Sequence, residues 1–165
     1  MHNKNKCMDK NNFINIKLDI GCGKSLPAGG WVGLDKRDIK DVVSIVHDIE
    51  KTPWPLDDNS CQEVRLFNVL EYINPALTLE VFDEVWRITM PAGSVYVRSS
   101  YASSSSGFND PLKTRTGLTE DTFTYLDPRC PEYAEYESSP FEVKELKHEV
   151  DNFVYCRMIP IKKFG

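Results

Sequence analysis

No stretch of the chain approaches the roughly 20 consecutive apolar residues that a membrane helix requires, so nothing in it reads as a membrane span. Histidine is scarce, with 3 in the chain, and the 5 cysteines (Cys7, Cys22, Cys61, Cys130 and Cys156) form neither C-x-x-C pairs nor the Cys and His spacing of a zinc site. No metal site is therefore expected. Free thiols in that odd number suit a reducing compartment, which sets the expected location as cytoplasmic. Basic residues are also in deficit: 20 Lys and Arg face 25 Asp and Glu, for a net charge of -5. Such a field repels phosphate backbones and no basic stripe interleaves with aromatics, so nucleic acid is disfavoured as a partner.

The first dozen residues, Met1 to Asn12, are rich in Asn and Lys. They lack the apolar stretch of a signal peptide and are expected to form a flexible polar arm. Residues 13 to 165 then read as one domain, because 41% hydrophobic content over this length can enclose a core. No internal repeat is visible.

From Phe13 onward, Ile14, Ile16, Leu18 and Ile20 alternate with polar residues, which is strand period, and the run stops at Gly21-Cys22-Gly23. Short apolar runs follow at Trp31 to Leu34, Val42 to Val46 and Val64 to Val69. Leu77, Val81, Phe82, Val85, Trp86 and Ile88 recur at three- and four-residue steps, predicting a helix over 74 to 89 with Asn74 as its cap and Pro75 in its first turn. Met90-Pro91-Ala92-Gly93 should end it and lead into a fifth strand through Val95 and Val97. The Ser-rich stretch from Ser99 to Gly107 reads as a loop, the segment around Glu120 to Tyr125 as one helical turn, and Phe141 to Pro160 as an antiparallel hairpin turning near Asp151-Asn152.

Several of these strands end in glycine or an acid, which is how an open α/β sheet presents a ligand site at the carboxyl ends of its strands. Gly21 and Gly23 at the first tip would let backbone amides come close to a ligand. Asp35 at the second tip has two oxygens that can chelate a ribose diol, and Asp48 at the third can accept from an exocyclic amine such as adenine N6. Together they describe a cradle for a nucleoside.

Here the chain resembles the class I S-adenosylmethionine-dependent methyltransferases, through Leu18-Asp19-Ile20-Gly21-Cys22-Gly23, Val32-Gly33-Leu34-Asp35, Val46-His47-Asp48-Ile49 and Asn68-Val69-Leu70-Glu71-Tyr72-Ile73. The resemblance runs from Lys17 to about Ser100 with the motifs in the family's order. It implies a Rossmann-like α/β fold, a mostly parallel sheet with a C-terminal antiparallel hairpin, and S-adenosylmethionine as cofactor with S-adenosylhomocysteine as product. Carried residue by residue, it implies that Gly21, Cys22 and Gly23 line the methionine and ribose portion, that Asp35 holds the ribose hydroxyls, that Asp48 and Ile49 border the adenine, and that Asn68 and Leu70 lie near the methionine end. Asp19, within the first motif, and Lys36, just after the second, complete the expected cofactor-binding set. The activity implied is in-line methyl transfer, in which the protein's tasks are alignment and exclusion of water.

Two departures shape the expectation. The links Lys24 to Gly30 and Lys36 to Asp41 are shorter than the roughly dozen residues of a helical crossover, so the helices between the first three strands should be reduced to turns. One face of the sheet would then be thinly covered, which predicts a second copy of the chain or the Asn/Lys arm over it. Ser25 stands where the first motif often has a third glycine.

Other readings are weaker. Gly23-Lys24-Ser25 hints at a phosphate loop, yet that loop needs an earlier glycine where this chain has Leu18. A dinucleotide site would want about 20 residues between glycine and acid, more than separate Gly23 from Asp35. His47 reads as a bystander, His148 as a surface residue and Trp54 as packing for a loop edge. The run after the fifth strand, Tyr101 to Arg115, is where a methyl acceptor would approach, with Asp110 and Tyr101 the candidates for substrate contact or base. The Asn-Pro-Pro-Tyr run of amine-methylating DNA enzymes is absent, since Asn68-Val69-Leu70-Glu71 stands in its place; a small-molecule or protein acceptor is expected, with sugars and lipid head groups open as well. The alternative is a protein that keeps the fold and binds S-adenosylmethionine, or serves assembly, without catalysis.

Overall fold

The computed structural model describes residues 13–105, 109–114, 117–136 and 138–162. The expected arm, Arg115 and part of the Ser-rich loop lie outside the described residues. Seven strands form a single mixed sheet: β1 (Ile16–Ile20), β2 (Trp31–Asp35), β3 (Val43–Val46), β4 (Cys61–Phe67), β5 (Thr89–Ser100), β6 (Phe141–His148) and β7 (Phe153–Pro160). Their order is β3-β2-β1-β4-β5-β7-β6. The first five run parallel, and β7 inserts antiparallel between β5 and the edge strand β6. The expected α/β fold with its C-terminal hairpin is therefore present. The order reverses between β1 and β4, and such a switch point leaves a crevice beyond the strand tips.

Alternation along the strands sends one set of side chains to a buried face. Leu18, Ile20, Leu34, Val64, Leu66, Val95, Val97, Cys156 and Met158 join the core there, together with Val81, Phe82, Val85 and Ile88 of helix α1 (Thr78–Ile88). A 3₁₀ turn, Pro75–Leu77, leads into α1, and the Asn74 side chain accepts from the Ala76 amide at 3.1 Å, the capping that the sequence predicts. The Thr89 hydroxyl donates to the Val85 carbonyl at 2.6 Å where the helix stops. Strand β5 starts at once, pairs Thr89 with Cys61, then bulges through Met90 to Gly93 before Ser94 pairs with Glu63. The expected turn is thus a bulge inside the strand. A short helix, α2 (Asp121–Thr124), stands where a single helical turn is expected.

Between β1 and β2, and again between β2 and β3, the described chain has turns only. Gly33 explains how so short a crossover fits. A Cβ there would meet the Val42 carbonyl oxygen at 2.6 Å, Cys22 Sγ at 2.8 Å and Leu26 Cδ2 at 3.0 Å. The two links fold directly onto β2, in space that a helix would otherwise fill.

The opposite sheet face carries paired charges and aromatic rings in place of helices. Arg65 grips Asp19 with two hydrogen bonds, at 2.8 and 2.7 Å, and lies over the rings of Trp31 and Phe67. Lys17 pairs with Glu63 at 2.8 Å. Arg98 reaches Glu149 and Asp151 and stacks 3.6 Å above the centre of Phe153. Guanidinium groups are weakly hydrated and lie flat on rings, so this arrangement suits a half-buried surface.

Candidate functional site

The tips of β1 to β4 and the chain that follows them enclose a cavity of about 580 Å³, a size suited to a nucleoside-bearing ligand. Of the residues expected to bind cofactor, Gly21, Gly23, Asp35, Lys36, Asp48, Ile49 and Asn68 line it, as does Asp110 from the segment after β5.

Asp35 is the best-defined group. It is buried, its Oδ2 accepts the Gly23 amide at 3.0 Å and its Oδ1 accepts the Arg37 amide at 3.0 Å. The Arg37 guanidinium forks onto both oxygens, Nε to Oδ1 at 2.9 Å and Nη2 to Oδ2 at 3.0 Å. These guanidinium bonds are the main reason that the carboxyl is held down at about 2 despite its burial. Asp35 is thus a fixed anion facing the cavity.

The glycine tip works differently from expectation. The Gly21 and Cys22 amides both donate to the Leu34 carbonyl, at 2.8 and 3.2 Å, and the Gly23 amide goes to Asp35. Those amides serve the fold, and Gly21 and Gly23 leave bare backbone on the cavity wall. The backbone at Gly21 has φ 63°, and a Cβ there would overlap the Val69 side chain, so both conformation and space demand glycine.

Beyond the β3 tip, Asp48 Oδ1 accepts the Glu50 amide at 3.3 Å and its Oδ2 lies 3.8 Å from Lys51 Nζ. His47 Nε2 lies 2.7 Å from the Lys51 carbonyl oxygen, which ties the ring to this turn. Trp54 is buried, and its indole donates to the Ile49 carbonyl at 3.1 Å, fixing the wall on which Ile49 sits. Asn68 adopts φ 54° while its amide donates to the Arg98 carbonyl, turning the chain away from β4 and into the cavity wall.

Three residues of the expected cofactor set stand outside the lining. Asp19 is buried toward the charged sheet face with Arg65, and Leu70 is buried in the core. Cys22 packs its sulfur at Gly33, and burial, helped by the nearby charges of Asp19 and Asp35, pushes its thiol up to about 11. Tyr101 likewise stands away from the cavity wall: its ring stacks on His148 with centres 3.9 Å apart.

Arg37, Tyr72, Ile73 and Leu112 also line the cavity, although they stand outside the set of site residues expected from the sequence. Tyr72 belongs to a 3₁₀ turn, Leu70–Tyr72, and its hydroxyl donates to Asp110 Oδ2 at 2.7 Å. The segment around Asp110 is further pinned by Thr114, whose amide donates to the Glu71 carbonyl at 2.8 Å and whose hydroxyl bonds the carbonyls of Glu71 and Ile73. A Tyr–Asp pair 38 residues apart has no sequence signal. For Arg37, two positions beyond a strand-end Asp, the local spacing was the available clue.

Among the described residues no group of acids, cysteines and histidines could hold a metal, and no helix is long and apolar enough to cross a membrane. No protein-family model matches the chain, and no curated protein matches it. Solved structures do. The 1,6-didemethyltoxoflavin-N1-methyltransferase of Burkholderia thailandensis superposes with a TM-score of 0.65 at 11% identity, covering 90% of this chain and 72% of the other. A SAM-dependent methyltransferase of Methanosarcina mazei gives 0.60 at 14% identity, covering 93% and 96%. The N-methyltransferase NodS of Bradyrhizobium japonicum, bound to S-adenosyl-L-homocysteine, gives 0.58 at 13%, covering 90% and 79%. By its fold, the chain is a Rossmann-like α/β protein of the type found in S-adenosylmethionine-dependent methyltransferases.

Proposed function

We propose that this cavity binds S-adenosylmethionine and that the chain is a methyltransferase. The observation that carries the reading is the placement of Asp35, Asp48 and the bare glycine backbone on one cavity at the switch point of the sheet. Asp35 would take the ribose hydroxyls, Asp48 and Ile49 the adenine, and Gly21, Gly23 and Asn68 the amino-acid end. When bound, the cofactor supplies a methyl group activated by the positive sulfur. The chain's own contribution is alignment and dryness, with Ile49, Val69, Ile73 and Leu112 supplying apolar wall.

Titration calorimetry with S-adenosylhomocysteine tests the cofactor, with Asp35→Ala and Gly21→Val as controls. Binding that both substitutions weaken is expected; no heat at millimolar ligand overturns the reading. The second reading, a binding or assembly protein without catalysis, is favoured by the missing crossover helices and the compact turns that replace them. Labelled cofactor incubated with fractions of a cell extract separates the two: transfer of label establishes the enzyme, and cofactor binding without transfer favours the second reading.

A further inference from the structure

The Asp110 corner of the cavity has an unusual hydrogen-bond balance. Asp110 Oδ1 accepts the Leu112 amide at 2.9 Å and Oδ2 accepts the Tyr72 hydroxyl at 2.7 Å. The Leu112 amide and then the Tyr72 hydroxyl hold the carboxyl below its usual value, so it stays ionised and can only accept. Burial first, and then the bond to Asp110, push the Tyr72 phenol up to about 12, so it keeps its one proton and spends it on Asp110. What the pair can still offer a ligand is therefore lone pairs alone. Next to Tyr72, Glu71 is fully buried, and its Oε2 has no hydrogen-bond partner among the described residues while Oε1 accepts the Ser100 amide. Lys113, on the same segment as Asp110, directs its Nζ to Ser100 Oγ at 2.9 Å.

We infer that the Asp110 and Tyr72 corner is the subsite for the methyl acceptor and that it takes a hydrogen-bearing nitrogen, a primary or secondary amine; this rests on the cofactor reading above. The cavity follows the strand order from the β3 and β2 tips, where Asp48 and Asp35 suit a nucleoside, to the β4 turn and the segment after β5, where Tyr72 and Asp110 stand. A ligand group that engages this pair must donate. A hydroxyl also donates, but to become a nucleophile it must give up its proton at or before attack, and a carboxylate already stabilised by two donors is a poor base for that. An amine that has given its ammonium proton to water brings its own lone pair and keeps an N–H for Asp110. Nitrogen would bond the methyl carbon as the carbon–sulfur bond breaks, S-adenosylhomocysteine would leave, the positive charge would pass to nitrogen beside Asp110, and the last proton would then go to water. The positioning demand falls on the carboxylate and the phenol oxygen, which fix the direction of the N–H and so that of the lone pair.

One other source of the same chemistry exists, the amino group of the cofactor itself. The experiment separates the two. Dissociation constants of S-adenosylhomocysteine and of 5′-methylthioadenosine, which lacks the amino-acid end, are measured for the parent protein, Asp110→Asn and Tyr72→Phe. Benzylamine, which at neutral pH binds as its ammonium and so adds charge to the donation, is then compared with benzyl alcohol and benzoate by ligand-observed NMR, with and without saturating S-adenosylhomocysteine. The expected result is that both nucleosides bind the variants within about twofold of the parent, while benzylamine is preferred over the other two probes by roughly tenfold and loses that preference in Asp110→Asn, as removal of one charge-assisted hydrogen bond implies. If Asp110→Asn weakens S-adenosylhomocysteine and leaves methylthioadenosine unchanged, the corner binds the cofactor's own amine and the inference is overturned. Equal binding of benzyl alcohol or benzoate overturns it as well. Failure of both nucleosides to bind the parent protein refutes the cofactor reading instead, a result distinct from any pattern among the probes.

Discussion

Arg37 holds Asp35 by a two-pronged fork, 2.9 and 3.0 Å, across the two oxygens that a ribose diol would use. The two demands compete, and the magnitudes decide between them. Arg37 is 55% exposed in its side chain, and exposed ion pairs contribute about 1 kcal/mol or less. Charge-assisted hydrogen bonds from a ligand to a buried carboxylate are worth roughly 1.5 to 3 kcal/mol each. The ligand should displace the fork. Arg37→Met is expected to tighten S-adenosylhomocysteine binding by up to about fivefold, and Asp35→Ala to weaken it by roughly tenfold or more. Weaker binding by Arg37→Met in calorimetry would mean that the guanidinium serves the ligand and does not compete with it.

Acid should destabilise the protein through two carboxylates. Asp35 and Asp127 both fall from an ordinary 3.8 to about 2 in the fold, Asp35 chiefly through Arg37, and Asp127 because the Arg129 fork and the Val143 amide outweigh its burial. A lowered folded value means that their stabilisation is present above 3.8 and disappears as pH falls from 3.8 toward 2. Urea midpoints taken across that window should drop steeply for the parent protein. They should drop less for Asp35→Asn and for Asp127→Asn, and an unchanged slope in both variants would contradict the assignment.

The alkaline side involves Lys162. Burial lowers its ammonium to about 8, while Nζ donates to Asn59 and to the Arg87 carbonyl and lies 4.4 Å from the centre of the Trp86 ring. For a base whose folded value is below the unfolded 10.5, the unfolded chain binds more protons between the two values, so stability rises from pH 8 to 10.5. Trp86 fluorescence should titrate with a midpoint near 8. Lys162→Met should remove both the fluorescence step and the gain in stability.

Gly33→Ala tests the helix-free crossover. One of the atoms that a Cβ would meet is the Val42 backbone oxygen, which cannot rotate aside. The expected cost is roughly 1 to 3 kcal/mol, the usual range for overpacking, read as a lowered urea midpoint with the slope unchanged. Full stability in this variant would mean that the links can lift off β2.

The charged sheet face makes a graded prediction. Asp19 is 2% exposed in its side chain, so Arg65→Met leaves a buried carboxylate unpaired and should cost roughly 3 to 5 kcal/mol. Lys17→Met breaks a pair that is about one-third exposed on each side, and should cost less than about 1 kcal/mol. Equal effects of the two substitutions in chemical denaturation would show that the face is more solvated than its packing implies.

Sequence by itself determined the strand tips. Period-two alternation ending at Gly21, and short apolar runs ending at Asp35 and at His47-Asp48, can be read along the chain because each signal is local, and so can the Asn74 cap and the three- and four-residue spacing of α1. The short links likewise announce the absence of crossover helices, since chain length alone excludes them. Tertiary structure decided the rest. Asp19 lies in the same motif as Gly21, yet strand alternation and the Arg65 partner 46 residues away turn it to the opposite face. The glycine amides are committed to the Leu34 carbonyl because β2 lies beside β1, a pairing that no local pattern encodes. Arg37 over Asp35 and Tyr72 against Asp110 depend on which loops meet above the sheet, so the character of the cavity's two ends is a property of packing, while the position of the cavity follows from strand endings written in the sequence.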